Sequence, residues 1–180
     1  MTKNILLEGL LLFSLLTFYS CGWTSTLTIS SSLPAEIQQE IKTTNIDKVD
    51  YSFIPNENAN NITVDALAGV SPYYEEMDIN SALKPMMDEL IQTKFTLISN
   101  NPDNKIIVSI KEINYTPGEH PNLSMTVNAL VNYLGQENQN NITYSVELPT
   151  HLRKEDMIHN WLVKFVIGMD RFLNSIYDVQ

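Results

Sequence analysis

Glu155 and His159 stand four residues apart, a spacing that puts a carboxylate and an imidazole on one helical face, where they could share a metal ion or a proton. A closed or catalytic metal site needs three or four ligands, and the remaining histidines are His120, in a turn between prolines, and His151, just ahead of the same helix. The pair therefore reads as an exposed ion pair or hydrogen bond. The second cluster is Tyr73-Tyr74-Glu75-Glu76-Met77-Asp78. Two aromatic rings beside three carboxylates could line a sugar site or present a cation-binding edge. The same composition also suits a solvated helix entry whose acids complement the helix dipole, and that is the expected reading. The six glycines (Gly9, Gly22, Gly69, Gly118, Gly135, Gly168) are scattered and form neither a dinucleotide nor a phosphate-cradling loop, and no nucleophile elbow is present. The sequence thus assigns no catalytic, cofactor-binding or metal residue, and the expectation is a protein that is not an enzyme and carries no cofactor.

Charge and cysteine usage narrow the partners. The 180-residue chain carries a net charge of −10 with a single cysteine, Cys21. Removing residues 1–20 takes away Lys3 and Glu8 together, so the charge persists. An acidic surface without clustered Lys and Arg repels nucleic acid, which excludes that partner. A lone cysteine excludes internal disulfides. Ahead of it, Lys3, the apolar run Leu10 to Phe18 and the small residue Ser20 have the anatomy of a signal peptide; the run falls short of the about 20 apolar residues that span a bilayer. The junction Phe18-Tyr19-Ser20-Cys21 resembles the lipobox of bacterial lipoproteins, with Phe18 where Leu, Val or Ile is usual and Tyr19 larger than usual. The alternative is an ordinary secretory signal followed by a chance cysteine. The resemblance implies a diacylglycerol on the Cys21 sulfur and a durable membrane anchor, since two or more acyl chains hold where one holds only marginally. No Asp follows Cys21, the signal that resembles inner-membrane retention, so the outer membrane is favoured.

The elements follow from periodicity. Trp23 to Ser32 is expected as a tether ending in a short strand, Ala35 to Ile41 as a polar helix of one or two turns at best, and Val49 to Phe53 as a strand ended by Pro55. Asn56 to Asn61 is a loop by composition, and Ile62 to Val70 is a strand or part of a longer excursion. Ile79, Leu83, Met86, Met87, Leu90, Ile91 and Phe95 make one stripe of an amphipathic helix capped by Ser81 or Asp78; Pro85, tolerable near the first turn, places its start close to Ser81. Alternation then predicts a three-stranded antiparallel meander. Its first strand runs Lys105 to Tyr115 with a bulge near Lys111 and Glu112, its second Leu123 to Tyr133, and its third Ile142 to Leu148 after a polar loop over Gly135 to Asn141. The last helix, Glu155 to Tyr177, carries Ile158, Trp161, Leu162, Phe165, Val166, Met169, Phe172, Leu173 and Ile176 on a broad stripe. It reads as core, a membrane-surface helix being the competitor, and Gly168 marks a close crossing. Four N-glycosylation sequons, at Asn61, Asn114, Asn122 and Asn141, are chance matches in an asparagine-rich chain.

The order of these elements, with the lipobox-like Cys21 and Ile106-Ile107-Val108-Ser109 opening the meander, resembles the YajG-type small envelope lipoproteins of Gram-negative bacteria. It is also similar to auxiliary lipoproteins of ABC-type lipid transporters and, more loosely, to the lipopolysaccharide-assembly lipoprotein. The resemblance implies an α+β fold: an antiparallel sheet of four to five strands with two amphipathic helices on one face. The expected organisation is a lipoprotein signal peptide over 1–20, a lipidated tether over 21–33 and a single α+β domain over 34–180. The expected function is non-enzymatic: a protein anchored in the envelope facing the periplasm, binding or supporting a partner protein there. Its partners would be the membrane through the N-terminal lipid and an envelope protein, with homo-oligomers also compatible. The docking surface would be the free sheet face, with Ser124, Thr126, Asn128 and Asn132 turned away from the helices, together with the sheet edges. The alternative is a lipid-handling accessory subunit of an envelope lipid or lipopolysaccharide transport system, with a groove between helices and sheet that admits an acyl chain.

Overall fold

The computed structural model describes residues 23–41, 48–65, 73–148 and 153–177; the leader, Cys21 and His151 lie outside them. In chain order the elements are β1 (Trp23–Thr26), α1 (Ala35–Glu40), β2 (Lys48–Ile54), β3 (Ile62–Asp65), β4 (Tyr73–Met77), α2 (Ile79–Lys94), β5 (Thr96–Leu97), β6 (Asn104–Thr116), β7 (Asn122–Tyr133), β8 (Gln136–Glu147) and α3 (Lys154–Tyr177). The fold is mixed α+β. Among the described residues the strands form two sheets, a five-stranded one in the order β5-β2-β6-β7-β8 and a three-stranded one in the order β1-β4-β3. This corrects the expected single antiparallel sheet: β2 runs parallel to both β5 and β6, and β1 parallel to β4. The chain leaves β2, builds β3, β4 and α2, and returns to β2's flank, so the return is a crossover that brings β6 alongside in the same direction.

The core lies between the five-stranded sheet and the two long helices. Val49, Ile106, Val108, Ile110, Leu123, Met125, Val127, Ala129 and Val131 are buried on one sheet face, facing Leu83, Met86, Met87, Leu90 and Ile91 of α2 and Ile158, Leu162, Phe165, Val166, Met169 and Leu173 of α3. Alternation in the strands and three-and-four spacing in the helices put each set on one side. The last helix is core, as its stripe predicts. Helix α2 starts at Ile79, two residues earlier than expected, with the Asp78 carboxylate accepting from the Ser81 N–H at 3.0 Å. Pro85 is thereby a second-turn residue. The carbonyl it leaves without a helical donor belongs to Ser81, an exposed residue that water can satisfy.

Three further segments differ from their sequence reading. The stretch expected as a tether opens with β1 instead of ending in a strand; the Leu27 N–H donates to the Glu76 carbonyl at 2.8 Å, and Leu27 and Leu33 are buried. Tyr73–Met77 is a strand between β1 and β3, not a helix entry, because Met77 is core and Glu75 has a buried cation to meet. Residues 136–141 are not a loop but the first half of β8, paired across to Asn128–Tyr133. Being at an edge and exposed on one face, that half needs no apolar residues.

The β7–β8 connection is thus only Leu134-Gly135, with φ of 52° and 76°, the two left-handed residues of a type I′ hairpin turn. Leucine at the first of them is 70% exposed. Replacing Leu134 by Asn, which tolerates that conformation, is expected to raise stability by about 0.5–1 kcal/mol in denaturant unfolding.

The bulge falls where the alternation predicts it, between Ile110 and Glu112. Its carbonyls are met by Asn56, whose Nδ2 donates to Ile110 O at 3.3 Å and Lys111 O at 3.1 Å. Buried Asn80 holds Asn56 in turn, accepting from its N–H at 3.3 Å and donating to its carbonyl at 2.7 Å and to Asn60 Oδ1 at 2.6 Å. An asparagine cluster thus ties the start of α2 and the loop after β2 to the bend in β6.

Candidate docking surface

The residues whose types suggested chemistry are used structurally. His159 Nδ1 donates to the Ser30 carbonyl at 3.0 Å, pinning the N-terminal segment to α3, and Glu155 is half-buried on the same helix. His120 pairs with Glu147 at 2.8 Å on the open surface. Among the described residues no group of three His, Cys, Asp or Glu side chains is placed to hold a metal ion. Glu75 meets the Lys154 ammonium at 2.7 Å, both little exposed. Lysine at the first residue of a helix opposes the dipole, and Glu75 supplies the compensating charge from β4.

The sheet face away from the helices is the one that the sequence pattern marked as a docking surface. On β7, Ser124, Thr126 and Asn132 are half-buried while their neighbours Leu123, Met125, Val127 and Val131 are buried, so the parity is as read from the sequence. Asn128 is more deeply set than that reading supposes, at 7% exposed, because flanking rows enclose it: its Nδ2 donates to Asn141 Oδ1 at 2.8 Å, and Ser109 lies across from it on β6. Thr126 and Thr143 hydroxyls share a hydrogen bond of 3.1 Å. The result is a ladder of short polar side chains, with Glu137 and Glu147 at opposite ends of β8.

The edges of the five-stranded sheet are unequal. β5 is two residues long, whereas β8 runs for 12 and, among the described residues, pairs only with β7. A strand edge presents a row of N–H and C=O groups that another strand can complete. Proteins blunt such edges with lysine, proline or a bulge; Gln136–Glu147 contains no lysine and no proline, and β8 pairs with β7 without a register shift.

Beside this edge lies a groove that the sequence reading did not find. It has a volume of about 280 Å³ and runs between β8 and α3, lined by Tyr144, Val146, Met157 and Trp161, with Asn160 and Lys164 at its rim. The Trp161 ring is 3% exposed and its Nε1–H is buried without a hydrogen-bond partner. Trp161 was legible as an apolar stripe residue; the orphan donor depends on what surrounds it in three dimensions.

Two buried phenols sense alkali. Burial raises the Tyr51 hydroxyl pKa well above its ordinary value, with the Asp88 charge adding to it, and burial with Tyr133 nearby does the same for Tyr177. Both folded-state values are raised, so their contribution to stability is fully present below the unfolded tyrosine pKa of about 10 and is lost as pH climbs above it. Stability is therefore expected to fall above pH ~10, and Tyr51→Phe and Tyr177→Phe should each flatten that fall in unfolding curves recorded across the alkaline range.

No protein-family model matches the sequence, and no curated protein does. Solved structures match in fold. A Xanthomonas campestris protein of the DUF330 family superposes with a TM-score of 0.54 at 6% identity, covering 81% of this chain and 91% of that one. A hypothetical protein from Chlamydia trachomatis reaches 0.43 at 11% identity over 69% of this chain and 96% of that one. A minor lipoprotein from Acinetobacter baumannii reaches 0.39 at 9% identity over 72% and 93%. The Xanthomonas likeness shows a shared fold and, at that identity, the fold alone; the two weaker matches carry no argument. The expected YajG-type likeness and envelope location draw on residues 1–21 and on the order of elements, and these matches add only the shared fold. No helix among the described residues is long and apolar enough to cross a membrane.

Proposed function

We propose that this chain is a non-enzymatic envelope lipoprotein of the YajG-like kind, anchored through a diacylated Cys21 and facing the periplasm, that binds or supports a partner protein. The outer membrane is the favoured site because no Asp follows Cys21. The observation that carries the reading is β8, a 12-residue edge strand that no other strand among the described residues covers, beside a polar sheet face. The lipid-handling alternative asks for a continuous apolar cavity. The groove at Trp161, of about 280 Å³, has Ser145, Asn160 and Lys164 among its lining residues, which suits a peptide side chain flanked by backbone better than an acyl chain.

Photo-crosslinking residues introduced at Thr143 and Ser145, and at Lys84 on the exposed side of α2 as a control, test the reading in intact membranes. Protein adducts at the two β8 positions and none at Lys84 are expected; equal labelling at all three, or none at β8, would overturn it. The anchor has its own readout. Mature wild-type protein should carry the diacylglycerol mass and fractionate with membranes, and Cys21→Ser should be unmodified and soluble. An unmodified, soluble wild type would end the anchor.

A further inference from the structure

We infer that the groove between β8 and α3 is the specificity pocket of a strand-addition site: an extended peptide of the partner pairs with the β8 edge and seats one large apolar side chain against Trp161. The inference rests on the partner-binding reading above and deepens it by naming the chemistry recognised.

Three independent features converge on one place. The edge supplies main-chain donors and acceptors along its length, the source of affinity in strand addition, and specificity then has to come from pockets that receive alternate side chains. The groove is such a pocket. It lies where Tyr144 and Val146, the core-side residues of β8's second half, meet the flank of α3 at Met157 and Trp161. A strand added to β8 continues the pleat, so every second side chain projects to the helix side of the sheet. At the level of residues 144–146 that projection meets the groove.

The second feature is the unpartnered Trp161 Nε1–H in a ring that is 3% exposed. A buried donor without an acceptor is unfavourable, and Trp161 lines the groove. The Nε1 itself is sealed from solvent, so an occupant satisfies it only by wedging α3 and β8 apart at the ring and bringing an oxygen there. The third is charge. Lys164 at the rim is exposed and Asn160 beside it is a neutral donor, in a chain whose net charge is −10. The rim therefore favours an acidic residue next to the apolar one. An acyl chain would use neither the edge nor the indole N–H.

Random peptides of about ten residues, the length of a paired strand, displayed on phage and selected on the purified mature chain, test this. Selected peptides are expected to combine a large apolar residue with an Asp or Glu close by. Their binding should slow amide exchange within β8, and it should weaken by about tenfold in Trp161→Phe, which removes the N–H and the second ring of the indole but keeps an aromatic side chain, and in Lys164→Glu. Lys164 is exposed, so that variant folds whatever becomes of the pocket. Peptides whose binding ignores both substitutions, peptides that protect amides elsewhere, or a selection that yields no binder would overturn the inference. Crosslinking at Thr143 and Ser145 is independent of these results, so β8 adducts alongside a failed selection would leave partner binding standing and remove only the pocket's role.

Discussion

Replacing Asp170 by alanine is expected to destabilise the fold by about 1.5–3 kcal/mol, the loss typical of removing a charged hydrogen-bond partner from a buried charge. The charge is Lys94. Its side chain is completely buried at the end of α2, and its ammonium reaches across to α3, donating to Asp170 Oδ1 at 2.7 Å and to Asn174 Oδ1 at 2.6 Å. Asn174 Nδ2 also donates to Asp170 Oδ2 at 3.1 Å, which holds the carboxylate in place. Truncating Asp170 takes the carboxylate from a buried ammonium and leaves it the neutral Asn174 Oδ1 as an acceptor.

The reverse change is expected to be much milder. Lys94→Met keeps the stem's volume, removes the charge that needs desolvation, and leaves Asp170, 18% exposed in its side chain, within reach of water. Chemical denaturation of the two variants decides the matter. Equal losses in D170A and K94M would mean that the pair acts as ordinary packing and not as a buried charge held by its counter-ion.

The same pair shows what a linear sequence withholds. Lys94 ends a helical stripe and would pass for an exposed C-terminal lysine complementing the dipole; its partner is 76 residues away. Glu75 and Lys154 are a parallel case, 79 residues apart. Without Lys154 in view, the acids after Tyr74 resemble a solvated helix entry, and with it they belong to a strand. Periodicity reports which face of an element is buried, and on that it served well: the stripes of α2 and α3, the parity of β7 and the bulge after Ile110 all follow from side-chain spacing. It does not report neighbours. The parallel pairing of β2 with β6 left no trace in either strand, since Tyr51 and Phe53 alternate the same way whichever direction the adjacent strand runs. Nor does it report polar strands, because Gln136 to Asn141 owe their extended form to pairing with β7 alone. The candidate surface was half legible for this reason. Its face could be read from Ser124, Thr126 and Asn132, while the length of the β8 edge and the groove beneath it depended on that polar half-strand and on Trp161's surroundings.

Gly168→Ala is the second large effect, and its sign runs against helix propensity. In a free helix interior the substitution would stabilise by about 1 kcal/mol. Here a Cβ would lie 2.2 Å from the Tyr144 hydroxyl oxygen and 3.3 Å from the ring carbon that bears it. The Tyr144 ring stands edge-on to the fully buried Phe165 with centroids 5.8 Å apart, so swinging aside into the groove gives up that contact. Overpacking of this kind costs about 1–3 kcal/mol, so a net loss of up to about 2 kcal/mol is expected once the propensity gain is set against it. Tyr144→Phe removes the oxygen that clashes and leaves only the closer-than-usual ring contact. The double variant should therefore recover most of the loss, a coupling that a double-mutant cycle in denaturant measures directly. Strictly additive losses would show that Gly168 tolerates a side chain by some other movement. A coupled result would mean that the missing side chain at Gly168 sets how closely α3 approaches β8 at Tyr144, and hence the width of the groove that Tyr144 shares with Trp161.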